Sequence, residues 1–353
     1  MKRIGSLLAL FTMVAGCAAN ADPTDTGATG SAQQAVESGD DQGALIHYGD
    51  AQDFLESKAR PIVFGHEGAG ENFGADTSKP INDTVASVSL AYDQGAAIVE
   101  VDTELTKDGY AVAYHDFDFL PDYSCINSYT LAELQAKLAY VPTLEQVLDV
   151  ARDKHGLMII ELKTPSPLCD PGDSTEQALV SRVVQAIDSE HMGEKVIFDG
   201  FSPALLYIAK QLAPRIPREL DMDLLQLMTP AQVQANTGLT VTQISKADGL
   251  GLQWADVGPI YRLPGYTSVS QFFWAAKAVD AALVGVEKDF IGYSEQTQPG
   301  SVAQFVAAAH GLGFKAVADP AKTAAEFAGF AAFGFDAAYC DDIPASLALQ
   351  PKR

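Results

Sequence analysis

Basic side chains are scarce in this 353-residue chain: 23 Lys and Arg stand against 46 Asp and Glu, a formal charge of −23 at pH 7. Nucleic acid and anionic bilayers are gripped through basic patches, so neither is expected as a partner of the folded surface. Glycine-rich phosphate loops are missing as well. No dinucleotide-type glycine turn follows the first predicted strand and no Walker sequence occurs, so no organic cofactor is implied. No internal repeat is evident, and no protein partner is indicated. Tryptophan is limited to Trp254 and Trp274, which read as packing residues rather than substrate-stacking ones.

The apolar run at the start is too short to cross a bilayer. Met1 to Gly16, "MKRIGSLLALFTMVAG", carries Lys2, Arg3 and then apolar residues, and reads as a secretory signal. "VAGC" resembles the bacterial lipobox, which makes Cys17 the expected lipid-anchored first residue of an exported lipoprotein. Ala18, where an Asp would retain the protein at the inner membrane, points to the outer membrane of a Gram-negative cell, facing the periplasm or exterior. An ordinary signal cleaved near "CAANA" is the other reading. Residues 17–45 are small, polar and acidic and form an expected tether, followed by a barrel domain over 46–353. Of the remaining cysteines, Cys340 sits in apolar "AAYC" and is expected as a buried thiol. Cys125 and Cys169 lie in polar loops after candidate site strands, in a compartment that permits disulfides, and are the expected pair.

From Pro61 onward short apolar runs alternate with helical patterns. "PIVFGH", "AAIVEVD", "LMIIELK", "KVIFDGFS", "RELDMD", "GLGLQW", "ALVGVE", "FKAVAD" and "DAAYCDD" read as strands, most of them followed by amphipathic stretches. Repeated strand and helix units imply a parallel sheet with right-handed crossovers. Eight units make a TIM barrel, the expected fold, and with eight or nine candidate strands a doubly wound open sheet is the alternative.

Within "VEVDTELTKDGYAVAYHD", Glu100 and Asp102 are two apart and must share one face of a strand. An acidic and apolar alternation is commonly a half-solvated edge. Here the preceding "GAAIV" is apolar, as in a strand covered on both faces, and acids in such a strand mark a site. A barrel performs its chemistry at the C-terminal strand ends, where His66, His115, Glu161 and Lys163 join the two acids. Three carboxylates suit a hard cation, Ca²⁺ or Mg²⁺, a lysine attracts an anion, and two histidines exchange protons near neutral pH. Together they form a set suited to cleaving a phosphodiester. Singly, His66 reads as a structural residue and Glu161 with Lys163 as a surface ion pair. His155, His191 and His310 read as solvated, and Glu287 and Lys288 end a strand without a fixed role.

From Ile62 to about Ser202 the chain resembles the glycerophosphodiester phosphodiesterase family. "GHEGAG" stands in place of its H-R-G, "INDTVAS" in place of its E-N-T helix start, and "GAAIVEVDTELTKDGYAVAYHDF" follows its longest pattern almost throughout; "VPTLEQVLD", "IIELK" and "FDGFSP" match further segments. The resemblance implies a TIM barrel that hydrolyses glycerophosphodiesters to glycerol phosphate and an alcohol. His66 and His115 become its acid-base pair, Glu100, Asp102 and Glu161 its metal ligands, and Lys163 a phosphate contact. The departures are Glu67 in place of the family arginine, Asn82 in place of the glutamate, and "FKAVAD" in place of a tryptophan-rich strand. Glu67 is expected to face a positive group, either the cation or a cationic headgroup. The alternative turns it to solvent, with its phosphate role passed to Lys163 or an arginine such as Arg218. Two rival functions remain: a phospholipase acting on intact lipid, and a degenerate barrel that binds a phosphodiester or cation without turnover.

Overall fold

A computed structural model describes residues 46–115, 124–163, 169, 175–227, 266 and 268–350. The leader, the tether, Cys17, Trp254 and the expected strand "GLGLQW" lie outside the described residues. Among the described residues nine strands form one sheet: β1 (Ile62–Gly65), β2 (Ile98–Leu105), β3 (Ala111–Ala113), β4 (Leu157–Leu162), β5 (Val196–Asp199), β6 (Glu219–Met222), β7 (Leu283–Glu287), β8 (Lys315–Ala321) and β9 (Ala337–Cys340). The order is β5-β4-β2-β1-β9-β8-β7-β6, with β3 an antiparallel partner of β2. A parallel bridge between Phe198 and Arg218 draws the two end strands, β5 and β6, together. Eight parallel strands therefore make a nearly closed TIM barrel, and the open-sheet alternative is overturned.

Strand alternation separates two apolar layers. Val99, Val101, Met158, Ile160, Phe198 and Val284 point outward into the large core under the helices. Their neighbours Ile98, Ile159, Ile197 and Leu283 point inward, where they meet Phe64, Val317 and Tyr339 on the barrel axis. Ile46, Tyr48 and Phe54 close the N-terminal end of the barrel from below. Edge-on ring contacts at 5.5, 5.4 and 5.3 Å run from Tyr48 through Phe54 and Phe64 to Tyr339. Burying one such ring stabilises the fold by roughly 1.5–3 kcal/mol. The floor segment begins ahead of Pro61, outside the strand and helix alternation read from sequence.

Helices begin where the sequence supplies caps. Thr84, Ser202 and Thr323 each accept a backbone N–H at the first turn, and Thr130 and Thr323 complete reciprocal capping boxes with Glu133 and Glu326. The helix Val269–Ala278 buries Phe272, Phe273 and Ala276, which leaves Trp274 on the far side and 74 % exposed. Trp274 is thus not a packing residue. His155 and His191 are exposed, as expected, but His310 is half-buried with Nε2 2.6 Å from Asp336 Oδ2. It pins a helix end to the segment entering β9 and is not a solvated residue. Arg218 is also engaged at the floor end of β6, where it donates to the carbonyls of Val279 and Ile216 at 2.8 Å, and so does not reach the mouth.

Cys340 is a buried free thiol, and Cys125 is disulfide-bonded to Cys169. The bond ties the segment after the β2–β3 hairpin to the segment after β4, and Asn127 Nδ2 donates to the Cys169 carbonyl at 2.9 Å beside it. Closing that loop restricts the unfolded chain. Replacing both cysteines by serine is expected to cost about 2–4 kcal/mol in urea unfolding. An unchanged unfolding midpoint would show that the bond contributes nothing to stability.

Candidate active site

The inward face of the barrel changes character toward the C-terminal strand ends. On β2, Ile98 joins the apolar floor while Glu100 and Asp102, on the same face, rise above it, 3 % and 1 % exposed. Register then builds a row of acids: Asp102 pairs with Glu161 on β4, and Glu161 with Asp199 on β5. Lys163, just past β4, places Nζ 2.6 Å from Asp102 Oδ1 and 2.8 Å from Glu161 Oε2. Burial disfavours that ammonium, but the two carboxylates outweigh it and hold the lysine well above its ordinary value. For Asp102 burial acts upward, yet Lys163 and His115 hold it below the usual carboxylate range. Glu161 is pushed up by burial and by Asp102 and Asp199, despite Lys163.

The hairpin brings His115 to the same end. Thr106 Oγ1 donates to Asp108 at 2.7 Å and accepts from the Tyr110 N–H at 2.9 Å, while Gly109 takes the left-handed conformation (φ 82°) that reverses the chain into β3. On the other side, His66 follows β1, and its Nδ1 lies 2.7 Å from Asp341 Oδ1 just past β9, the paired neighbour of β1. Burial would lower the His66 pKa, but Glu67, Asp341 and Asp319 raise it well above the ordinary imidazole value.

Glu67 sits between the histidines. Its Oε1 lies 3.4 Å from His115 Nε2 and 3.8 Å from His66 Nε2, and the residue is 2 % exposed. The alternative of a solvent-facing Glu67 is overturned. The turn that carries it is anchored over β2: the Glu67 N–H donates to Glu100 Oε2 at 2.7 Å and the Gly68 N–H to the Glu100 carbonyl at 2.9 Å. A side chain at position 68 would meet Ser87 Oγ at 2.4 Å, so only glycine fits between this turn and the helix Val85–Asp93. Burial raises Glu67, with His115 and His66 opposing.

The residues present fit a hard divalent cation. Glu100, Asp102 and Glu161 each offer an oxygen, all within 4.8 Å of one another. Glu100 Oε1 and Asp102 Oδ2 are buried with no hydrogen-bond partner among the described residues. Glu67, Asp102 and His115 form an overlapping triple, and Glu67 Oε2 is likewise unpartnered.

His66, Glu67, Glu100, Asp102, His115, Glu161 and Lys163 therefore gather at this one end. Asn82 is buried there too, and its amide donates to Asp83 Oδ2 at 3.2 Å while Asp83 Oδ1 accepts the Asp102 N–H at 3.1 Å. Sequence reading missed Asp341 and Asp319, which face His66, and a third acidic triple, Asp199, Glu219 and Asp221. The sequence signal was partial: "FDG", "ELDMD", "VAD" and "YCDD" put acids in or beside strands, without showing which of them meet. Glu287 ends β7 in register with Asp319 and so belongs to this rim.

Known proteins of the same kind share both pattern and fold. A glycerophosphodiester phosphodiesterase of Caldanaerobacter subterraneus subsp. tengcongensis is 29 % identical over 171 residues, 44 % of this chain and 65 % of that one. One of Bacillus subtilis is 28 % identical over 46 % of this chain and 59 % of its own. The chain thus spans somewhat less than two thirds of the curated relatives' length. Among solved structures, a glycerophosphodiester phosphodiesterase of Thermotoga maritima superposes with a TM-score of 0.56 at 17 % identity, covering 82 % of this chain and 99 % of the other. An Oleispira antarctica phosphodiesterase, in complex with the product sn-glycerol-3-phosphate, gives 0.54 at 21 % identity over 82 % and 96 %. At these identities the structures speak to the fold. The model of the glycerophosphoryl diester phosphodiesterase family matches residues 66–252, more than half of the sequence, and this chain belongs to that family.

Proposed function

We propose that the barrel hydrolyses glycerophosphodiesters, releasing glycerol phosphate and an alcohol, with a divalent cation and two histidines. The observation that carries this reading is the convergence of Glu100, Asp102 and Glu161 with two imidazoles and one ammonium at one mouth. Family membership and the activity of the matched relatives support the substrate class.

Glu100, Asp102 and Glu161 would hold the cation, Mg²⁺ or Ca²⁺. When bound, it supplies electrostatic stabilisation of the charge that builds on the phosphoryl oxygens. Lys163 adds positive charge on the β4 side while its carboxylate partners fix its position. His66 is oriented through Nδ1 by Asp341, which leaves Nε2 toward the mouth. Its raised pKa favours the imidazolium, so His66 is the proton donor to the departing alcohol and His115 accepts the proton of the water that replaces it at phosphorus. Glu67 Oε1 faces both rings, and Glu67 Oε2 joins Asp102 as a further oxygen toward the cation.

Glu100→Gln and Asp102→Asn are each expected to remove most Mg²⁺ or Ca²⁺ affinity together with turnover of glycerophosphocholine; calorimetric binding equal to wild type in the double variant would refute the ligand assignment. His66→Ala and His115→Ala should retain the cation but lose a factor on the order of 10² to 10⁴ in rate. A p-nitrophenyl diester, whose leaving group needs no proton, should restore most of the rate to His66→Ala and little to His115→Ala, and equal rescue of both would reverse or remove the assignment. Glu67→Gln and Glu67→Arg should each weaken cation binding by roughly tenfold or more. If both instead raise KM for glycerophosphocholine alone, and not for a diester with an uncharged headgroup, Glu67 reads the headgroup.

A further inference from the structure

We propose that Asp199, Glu219 and Asp221 form a second site for a hard divalent cation, distinct from that of Glu100, Asp102 and Glu161. The three side chains come from adjacent barrel strands, β5 and β6, and point into the interior. Each offers one oxygen, all within 4.8 Å of one another, and none of the three residues is more than 2 % exposed.

Two features beyond the clustering point to a ligand. Glu219 Oε1 and Asp221 Oδ1 are buried and have no hydrogen-bond partner among the described residues. Both converge on Gly285 of β7, which pairs with Asp221: a Cβ there would lie 1.9 Å from Asp221 Oδ1 and 2.9 Å from Glu219 Oε1. Gly285 is not in the left-handed region, so the backbone does not call for glycine. A glycine inside a strand weakens it and commonly marks a close approach of another group. What it provides here is room for the two unpartnered carboxylate oxygens themselves, which a side chain would push apart.

Three of the other oxygens are engaged, which fixes the orientation of Asp199 and Glu219. The Tyr339 hydroxyl lies 3.1 Å from Glu219 Oε2 and 3.4 Å from Asp199 Oδ2, and the Gly200 N–H donates to Asp199 Oδ1 at 2.6 Å. The Lys163 charge reaches Asp199 but does not outweigh its burial, and the closer ion pairs of the mouth lie elsewhere. Lys163 serves Asp102 and Glu161, while the histidines face Glu67, Asp319 and Asp341. Three carboxylates held together away from water either share protons or bind a cation, and two buried oxygens with no protein donor suit the cation. Asp199 pairs in register with Glu161, so the second site lies one strand over from the first. The proposal concerns ion binding and holds whether or not the barrel cleaves a phosphodiester.

Equilibrium dialysis of chelator-stripped full-length protein against Mn²⁺ is expected to give two ions per chain. Glu219→Gln with Asp221→Asn should leave one, and Glu100→Gln with Asp102→Asn should leave the other. Gly285→Ala, which would displace these two oxygens yet keeps every carboxylate, should also fall to one. A single ion in the wild-type protein overturns the proposal, as do two ions that persist in the folded Glu219→Gln, Asp221→Asn variant. Should the variants fail to fold by circular dichroism, Mn²⁺ anomalous scattering from wild-type crystals decides: a peak among these three residues is expected, and its absence refutes the site.

Discussion

Carboxylates buried within a few ångströms of one another cannot all carry charge unless positive charge lies among them. That constraint governs the mouth of this barrel. Burial raises Glu67, Glu100 and Glu161, whereas Asp102, clasped by Lys163 and close to His115, is held low. Lys163 in turn keeps its proton because two acids surround it. His66 gains a proton affinity that its burial alone would take away. Each polar group in the site is thus defined by its neighbours, and removing any one changes the others.

Such a site needs a rigid support. The acids stand on the same inward face as the apolar residues beneath them, so β2 and β4 fix both layers with one alternation. Tyr339 joins the layers: its ring ends the aromatic ladder from the floor, and its hydroxyl meets Asp199 and Glu219. Outside, the larger apolar core holds the strands from behind. The charged interior is in this sense built on the part of the barrel that resembles an ordinary core.

The first part of the barrel was legible because its signals are local. Glu100 and Asp102 are two apart on one strand, and the Lys107-Asp108-Gly109 turn announces the hairpin that delivers His115. The family pattern reinforced those same residues. Asp341 and Asp319 were not legible as partners of His66, since the meeting depends on β9 lying beside β1 and on closure of the sheet, which are long-range facts. Glu219 and Asp221 carry the same two-apart spacing as Glu100 and Asp102, but "RELDMD" has no flanking pattern to distinguish it from a solvated edge. Trp274 was misread because composition says aromatic residues pack, while the helix phase set by Phe272 and Phe273 turned it outward.

The floor segment has a consequence for handling and for architecture alike. Ile46, Tyr48 and Phe54 pack beneath the first residues of the strands, at the pole opposite the acidic mouth. A bead or a fused partner joined directly to Ile46 would therefore meet the barrel at its base, at the pole opposite the acidic opening.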